Sequence, residues 1–208
     1  MDKKFIFINV IIILLLTAAY ILEYYFTQYP MKFNAVYSIK ECRLEYLAVI
    51  LAGTALVSYL ISSLPFRGLN FKSKFLRIFP LINGIILLFF IGLSTNQLTE
   101  KRKELARMKN SYFRLAEKDI QNNKIMLTDA GGLSLPFQSQ EILNSIDNIR
   151  KKYGIVYQNT GCIIDPMDME ARKKYTETVT PYLTKRNGKD WKKRMQKEID
   201  ELITNSRK

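Results

Sequence analysis

Apolar residues run almost unbroken through residues 5–24, 44–64 and 78–93 and then stop, after which apolar and charged positions alternate to the end of the chain. A bilayer core takes about 20 apolar residues as helix, so each run reads as a membrane span. The pattern predicts an integral membrane protein, with three transmembrane α-helices followed by a small α+β soluble domain. Residues 1–98 form a three-helix membrane anchor, 99–123 a helical stalk or connecting helix, and 124–208 the soluble domain.

The first run follows Met1-Asp2-Lys3-Lys4, a start it shares with secretory signal peptides. It outlasts the usual h-region, and Thr17-Ala18-Ala19 leads straight into Tyr20 without a small-x-small cleavage site, so an uncleaved anchor is expected. Tyr20, Tyr24, Tyr25, Phe26 and Tyr29 gather at its far end, as amphipathic rings do at headgroup level, before Pro30 ends the helix. Inside the spans the polar residues are few: Asn9, Thr17, Thr54, Ser58 and Asn83. Gly53, Ala55, Gly84 and Gly92 are small enough for close helix contact. Glu23 and Glu45 sit at span ends, where a carboxylate reaches water, rather than at the midplane where a proton relay would place them.

Beyond the third span, Leu105, Met108, Tyr112, Leu115 and Ile120 recur at near-helical spacing, with Lys/Arg and Glu on the other face. Residues 124–128 read as a short strand ended by Asp129-Ala130-Gly131-Gly132, and 133–137 as a second extended segment confined to an edge or loop by Pro136. Ser139 is the expected N-cap of a helix over 140–153, with the stripe Ile142, Leu143, Ile146, Ile149 and Tyr153 and Gly154 as its C-terminal αL residue. Residues 155–164 carry the strongest strand signal, a hairpin or a bulged strand around Asn159-Thr160-Gly161. Asp165-Pro166 opens a helix carrying Met169, Tyr175, Val179 and Leu183 inward, kinked or ended by Pro181. After the Asn187-Gly188 turn, Asp190 caps a last helix with Trp191, Met195, Ile199, Leu202 and Ile203 on one face.

Composition narrows the chemistry. The chain has no histidine, which removes the commonest general base, Ser-His and Cys-His nucleophile pairs and imidazole metal ligands. Two cysteines alone cannot build a structural zinc site. No catalytic, cofactor-binding or metal residues are assigned, and no cofactor is expected. Gly131-Gly132 lacks a following Gly-Lys-Ser/Thr and reads as a turn rather than a phosphate loop. Two thiols remain. Cys162 follows a glycine turn, and a nearby cation could make it nucleophilic, but no histidine can activate it and Cys-x-x-Cys is absent, so a buried structural cysteine is the better reading. Cys42 and Cys162 share a side of the membrane in a three-span topology, so a disulfide between them is a candidate if that side is oxidising.

The net charge of +13 is uneven: residues 1–98 hold nine Lys/Arg against four Asp/Glu, and 99–208 hold 23 against 15. A basic domain beside a bilayer suits anionic headgroups, while no nucleic-acid motif accompanies the charge and no nucleic acid is expected. Lys3, Lys4, Arg67, Lys72, Lys74 and Arg77 place the amino terminus and second loop in the cytoplasm and the tail outside. Lys32, Lys40, Arg43 and the basic run from Lys101 oppose that reading. The Lys, Asn and Ile content is of bacterial type, which suggests a plasma-membrane location. The leading functional expectation is a non-enzymatic, membrane-anchored interaction or assembly protein. Its partner would be a protein or further copies of itself, as in an envelope component or an immunity-type binder. The alternatives are a thiol-dependent enzyme using Cys162 and a small transporter or channel subunit.

Overall fold

The computed structural model describes residues 2–65, 68–129, 140–161 and 165–206. They divide into two compact units, Met1–Arg102 and Lys103–Lys208. The chain is mostly helical, with three long apolar helices followed by a small helix-plus-two-strand region.

The first unit contains α1 (Asp2–Thr27), α2 (Ala35–Glu41), α3 (Leu44–Ser63) and the first part of α4 (Phe71–Gln121). α1, α3 and α4 are each long and apolar enough to cross a membrane. Their apolar side chains point mostly outward: Leu14 is 63% exposed, Val49 69% and Leu88 70%. The buried positions, by contrast, are often polar, with Thr54, Ser58 and Ser62 one helical turn apart on α3 and Lys74, Asn83 and Ser94 on α4. Short bonds satisfy most of these groups. Ser58 and Ser62 donate to the carbonyls of Thr54 and Ser58 at 2.7 and 2.6 Å. Thr54 Oγ1 meets Asn83 Oδ1 across the helices at 3.1 Å, and Asn9 Nδ2 reaches the Leu76 carbonyl at 3.0 Å. Lys74 Nζ lies 2.5 Å from the Leu64 carbonyl. The ammonium thus caps the carboxyl end of α3, where unpaired carbonyls and the helix dipole favour a cation. Three sequence expectations change here. Arg77 and its neighbours from Phe71 onward belong to α4 rather than to a loop, and Arg77 stacks over the Phe5 ring at 5.0 Å. A Cβ on Gly53, Gly84 or Gly92 would meet nothing within 4 Å, so these glycines mark no close helix contact. The first loop also holds a helix the apolar pattern did not reveal, α2, whose N-cap Asn34 accepts from the Tyr37 amide at 3.1 Å.

The second unit contains the rest of α4, β1 (Ile125–Asp129), α5 (Gln140–Lys152), β2 (Ile155–Asn159), α6 (Pro166–Asn187) and α7 (Trp191–Asn205). α4 runs unbroken for 51 residues, so the expected stalk and the third apolar run are one helix. Asn123, in the left-handed region at φ 53°, then reverses the chain into β1; Asn tolerates that conformation better than most residues. β1 and β2 pair in parallel, from Ile125 opposite Ile155 to Asp129 opposite Asn159, with α5 in the crossover. Asn159-Thr160-Gly161 does turn, Asn159 Oδ1 accepting from the Gly161 amide at 2.8 Å, but the strand before it pairs with β1. The return arm expected over 162–164, the extended segment 133–137 and the Ser139 cap lie outside the described residues.

Ile125, Ile155, Tyr153, Tyr175, Val179, Leu183, Trp191 and Ala116 form the core. α6 buries Met167, Ala171, Tyr175, Val179 and Leu183, an i, i+4 stripe that turns Met169, expected inside, to the exterior. Pro181 does not end α6, which continues to Asn187 with Val179 and Leu183 buried on either side of it. Asp165 caps α6 as expected, its Oδ1 accepting from the Met167 amide at 2.8 Å. Asp190 makes no side-chain cap on α7, because its backbone (φ −96°, ψ 19°) is not the extended form a capping side chain needs. Gly154 has φ +78°, a left-handed conformation that calls for glycine; the Arg186 guanidinium that a Cβ there would meet ends a flexible side chain and could move aside.

Candidate functional site

α4 and α6 are stitched by a ladder of polar contacts. Lys109 Nζ pairs with Glu170 Oε1 at 3.2 Å, and the Tyr112 hydroxyl donates to Asp168 Oδ1 at 2.5 Å. The Tyr175 hydroxyl donates to Asp119 Oδ2 at 2.6 Å, and Tyr182 to Asn123 Oδ1 at 2.5 Å. Between these rungs, over the carboxyl-terminal half of the strands, lies a cavity of about 490 Å³. Tyr112, Leu115 and Asp119 line it from α4, Met126 to Thr128 from β1, Tyr157, Gln158 and Thr160 from β2 and its turn, and Arg172, Tyr175 and Thr176 from α6. The carboxyl ends of parallel strands are where such sheets most often leave room for a ligand.

Two charges mark the cavity. Arg172 Nη1 donates to Thr160 Oγ1 at 3.2 Å, while its Nε approaches Asp168 Oδ2 to 2.5 Å in an ion pair not aligned as a hydrogen bond. Asp119 is held by Tyr175. The same phenol oxygen accepts from the Met126 amide at 2.9 Å, so one hydroxyl serves a carboxylate and a strand edge together. Burial first, then the bond to Asp119, pushes the Tyr175 phenol well above its ordinary value. At neutral pH it is a fixed hydrogen-bonding group rather than a proton carrier. Nearby, the Arg150 guanidinium sits 4.3 Å from the Tyr157 ring centroid. On the rung beside the cavity, hydrogen bonds from Lys173 and Lys109 hold the Glu170 carboxyl below the usual carboxylate range. The arrangement offers fixed donors, acceptors and rings, with charge already partnered.

The thiols expected to carry chemistry are placed as follows. Cys42 ends α2 with its side chain buried, Sγ 3.4 Å from the Ile39 carbonyl, and burial pushes its thiol above the ordinary value. Such a thiol is a poor nucleophile. Cys162 and the Gly131-Gly132 turn lie outside the described residues. Among the described residues no cluster of three His, Cys, Asp or Glu side chains could hold a metal ion.

Sequence reasoning did not find the cavity, because its lining is drawn from four separated segments and each residue has an ordinary local role. The apolar stripes did mark Tyr112 and Tyr175 as inward. The signal passed over was their hydroxyls, since a buried phenol must find a partner and so points to a polar site. Comparison with protein-family models, with curated proteins and with solved structures returns no match.

Proposed function

We propose that this chain is an integral membrane protein whose three apolar helices anchor a small basic domain, and that the domain acts by binding a protein partner or further copies of the chain beside the bilayer. Insertion is supported by the inverted arrangement of the first unit, whose exposed surfaces are apolar and whose buried positions include Thr54, Ser58, Ser62 and Asn83. In water that arrangement would leave large apolar patches uncovered; in lipid it is the expected one. The proposed orientation puts Lys3, Lys4 and Lys72 in the cytoplasm and the domain outside, in a bacterial plasma membrane.

The binding role rests on one observation: the cavity between α4 and α6 presents rings, strand backbone and pre-paired charges. Groups so arranged hold another molecule's polar surface through hydrogen bonds and ring contacts. The test is cross-linking in intact cells followed by purification in mild detergent. The account expects a stoichiometric partner or oligomer from the wild-type chain and its loss from Arg172→Gln. A monomer recovered alone, with or without cross-linker, would overturn the binding role.

A further inference from the structure

We propose that the cavity receives an extended peptide segment of a partner chain, laid along the edge of β1 that faces away from β2, with an anionic group against Arg172 and a cationic group against Asp119. This deepens the binding role above and rests on it.

The backbone supplies the first argument. In a strand, successive residues direct their N–H and C=O groups to opposite edges, so alternate residues share one edge. The Met126 amide points away from β2, because it donates to Tyr175 Oη at 2.9 Å. Thr128 therefore presents its amide and carbonyl on that same edge, together with the Met126 carbonyl. Both residues line the cavity, and no hydrogen bond to these three groups is present among the described residues. Among the described residues that edge thus leaves one donor and two acceptors unbonded, which is what an added strand pairs with.

Charge spacing supplies the second. Tyr112 and Asp119 are seven residues apart on α4, about 10 Å along the helix. Arg172 shares Asp168 with Tyr112, so the Arg172 and Asp119 charges are separated by a length of that order. An extended peptide advances about 3.3 Å per residue, so roughly three residues bridge them. A free amino acid holds its two charges far closer and reaches only one end. The volume of about 490 Å³ lies in the range of pockets that enclose small ligands and short segments. Leu115, Leu127 and the Tyr157 ring then face the side chains of such a segment.

The test uses the full chain in lipid nanodiscs, panned against a displayed library of random heptapeptides. The comparators are Thr128→Pro, Arg172→Gln and Lys193→Ala, the last on the exposed face of α7. Proline is tolerated at an outward amide of an edge strand, and buried Trp191 fluorescence checks that each variant folds. The proposal expects enriched peptides with opposite charges about three residues apart. They should bind Lys193→Ala as the wild type and bind Thr128→Pro and Arg172→Gln about tenfold or more weakly. Hydrogen exchange on the wild type gives a readout that needs no variant: a selected peptide should protect the Thr128 amide and leave Met126, already bonded to Tyr175, unchanged. No enrichment, equal binding to all variants, or protection confined to α5 and α7 would overturn the proposal. A partner that co-purifies equally with wild type, Thr128→Pro and Arg172→Gln would also overturn it, while leaving a binding role at another surface.

Discussion

Replacing Tyr175 by phenylalanine isolates the hydroxyl that joins α4, β1 and α6. The ring stays in the core, where the residue is 5% exposed, and only one oxygen is removed. That oxygen donates to Asp119 at 2.6 Å and accepts from the Met126 amide at 2.9 Å. A hydrogen bond to a charged group contributes about 1.5–3 kcal/mol, and a buried amide left without its partner costs about 1–3 kcal/mol. Asp119 is partly exposed and can regain water, which puts its share at the low end. The expected loss is therefore about 2.5–4.5 kcal/mol. Trp191 is the only tryptophan and lies in the same core cluster, so its fluorescence reports unfolding of this unit alone. With a urea dependence of about 2 kcal/mol per molar, the midpoint should fall by about 1–2 M. The variant should also lose part of the alkaline limb of the pH profile. Because the folded-state phenol is raised, its contribution is complete below the ordinary value of 10.0 and is lost as pH climbs from there toward the folded-state value. A midpoint within about 0.3 M of wild type would refute this account of the hydroxyl.

Other predictions follow from the same contacts. Hydrogen bonds from Tyr153 at 2.7 Å and Lys152 at 2.9 Å hold the Glu198 carboxyl below its ordinary value of 4.5. The stability it contributes is thus present above that pH and lost as pH falls through the lowered value; Glu198→Gln should flatten this acid limb in Trp191-monitored titrations, and an unchanged limb would count against it. Lys74→Ala should uncap α3 and lower the thermal stability of the detergent-solubilised chain by about 1.5–3 kcal/mol, whereas an unchanged melting temperature would leave the Leu64 contact without energetic weight. In the proposed orientation, a cysteine introduced as Lys193→Cys in the Cys42→Ser, Cys162→Ser background should react with an impermeant maleimide on intact cells. Labelling only after lysis would reverse the orientation.

The long-range features were legible where a single segment decides them. Unbroken apolar runs located α1, α3 and the apolar part of α4, though not its first two turns from Phe71 to Arg77, and the stripe from Leu105 to Ile120 carried α4 past the last apolar residue. Local caps were equally readable, as at Asp165 and Gly154. What could not be read was pairing. Ile155-Val156-Tyr157 announces a strand, but its partnership with Ile125 through a crossover depends on α4, α5 and α6 closing over both, which no local pattern encodes. Asp190 shows the same limit at small scale, since a capping residue is recognisable but the backbone angle that lets it cap is set by the preceding turn. The cavity is the extreme case. Asp119, Thr128, Thr160 and Arg172 each look like surface or turn residues, and only the fold brings them around one space.

Everything proposed for the domain depends on the proposed embedding of α1, α3 and the apolar part of α4 in a bilayer, with polar side chains such as Asn83 and Ser58 inside the bundle. Extraction of membranes from cells expressing the full chain, with alkaline carbonate, tests it most directly. The account predicts that the chain stays with the sedimented lipid and is released only by detergent. Recovery of folded chain in the carbonate supernatant would contradict it, because helices carrying Leu14, Val49 and Leu88 outward would then be stable in water.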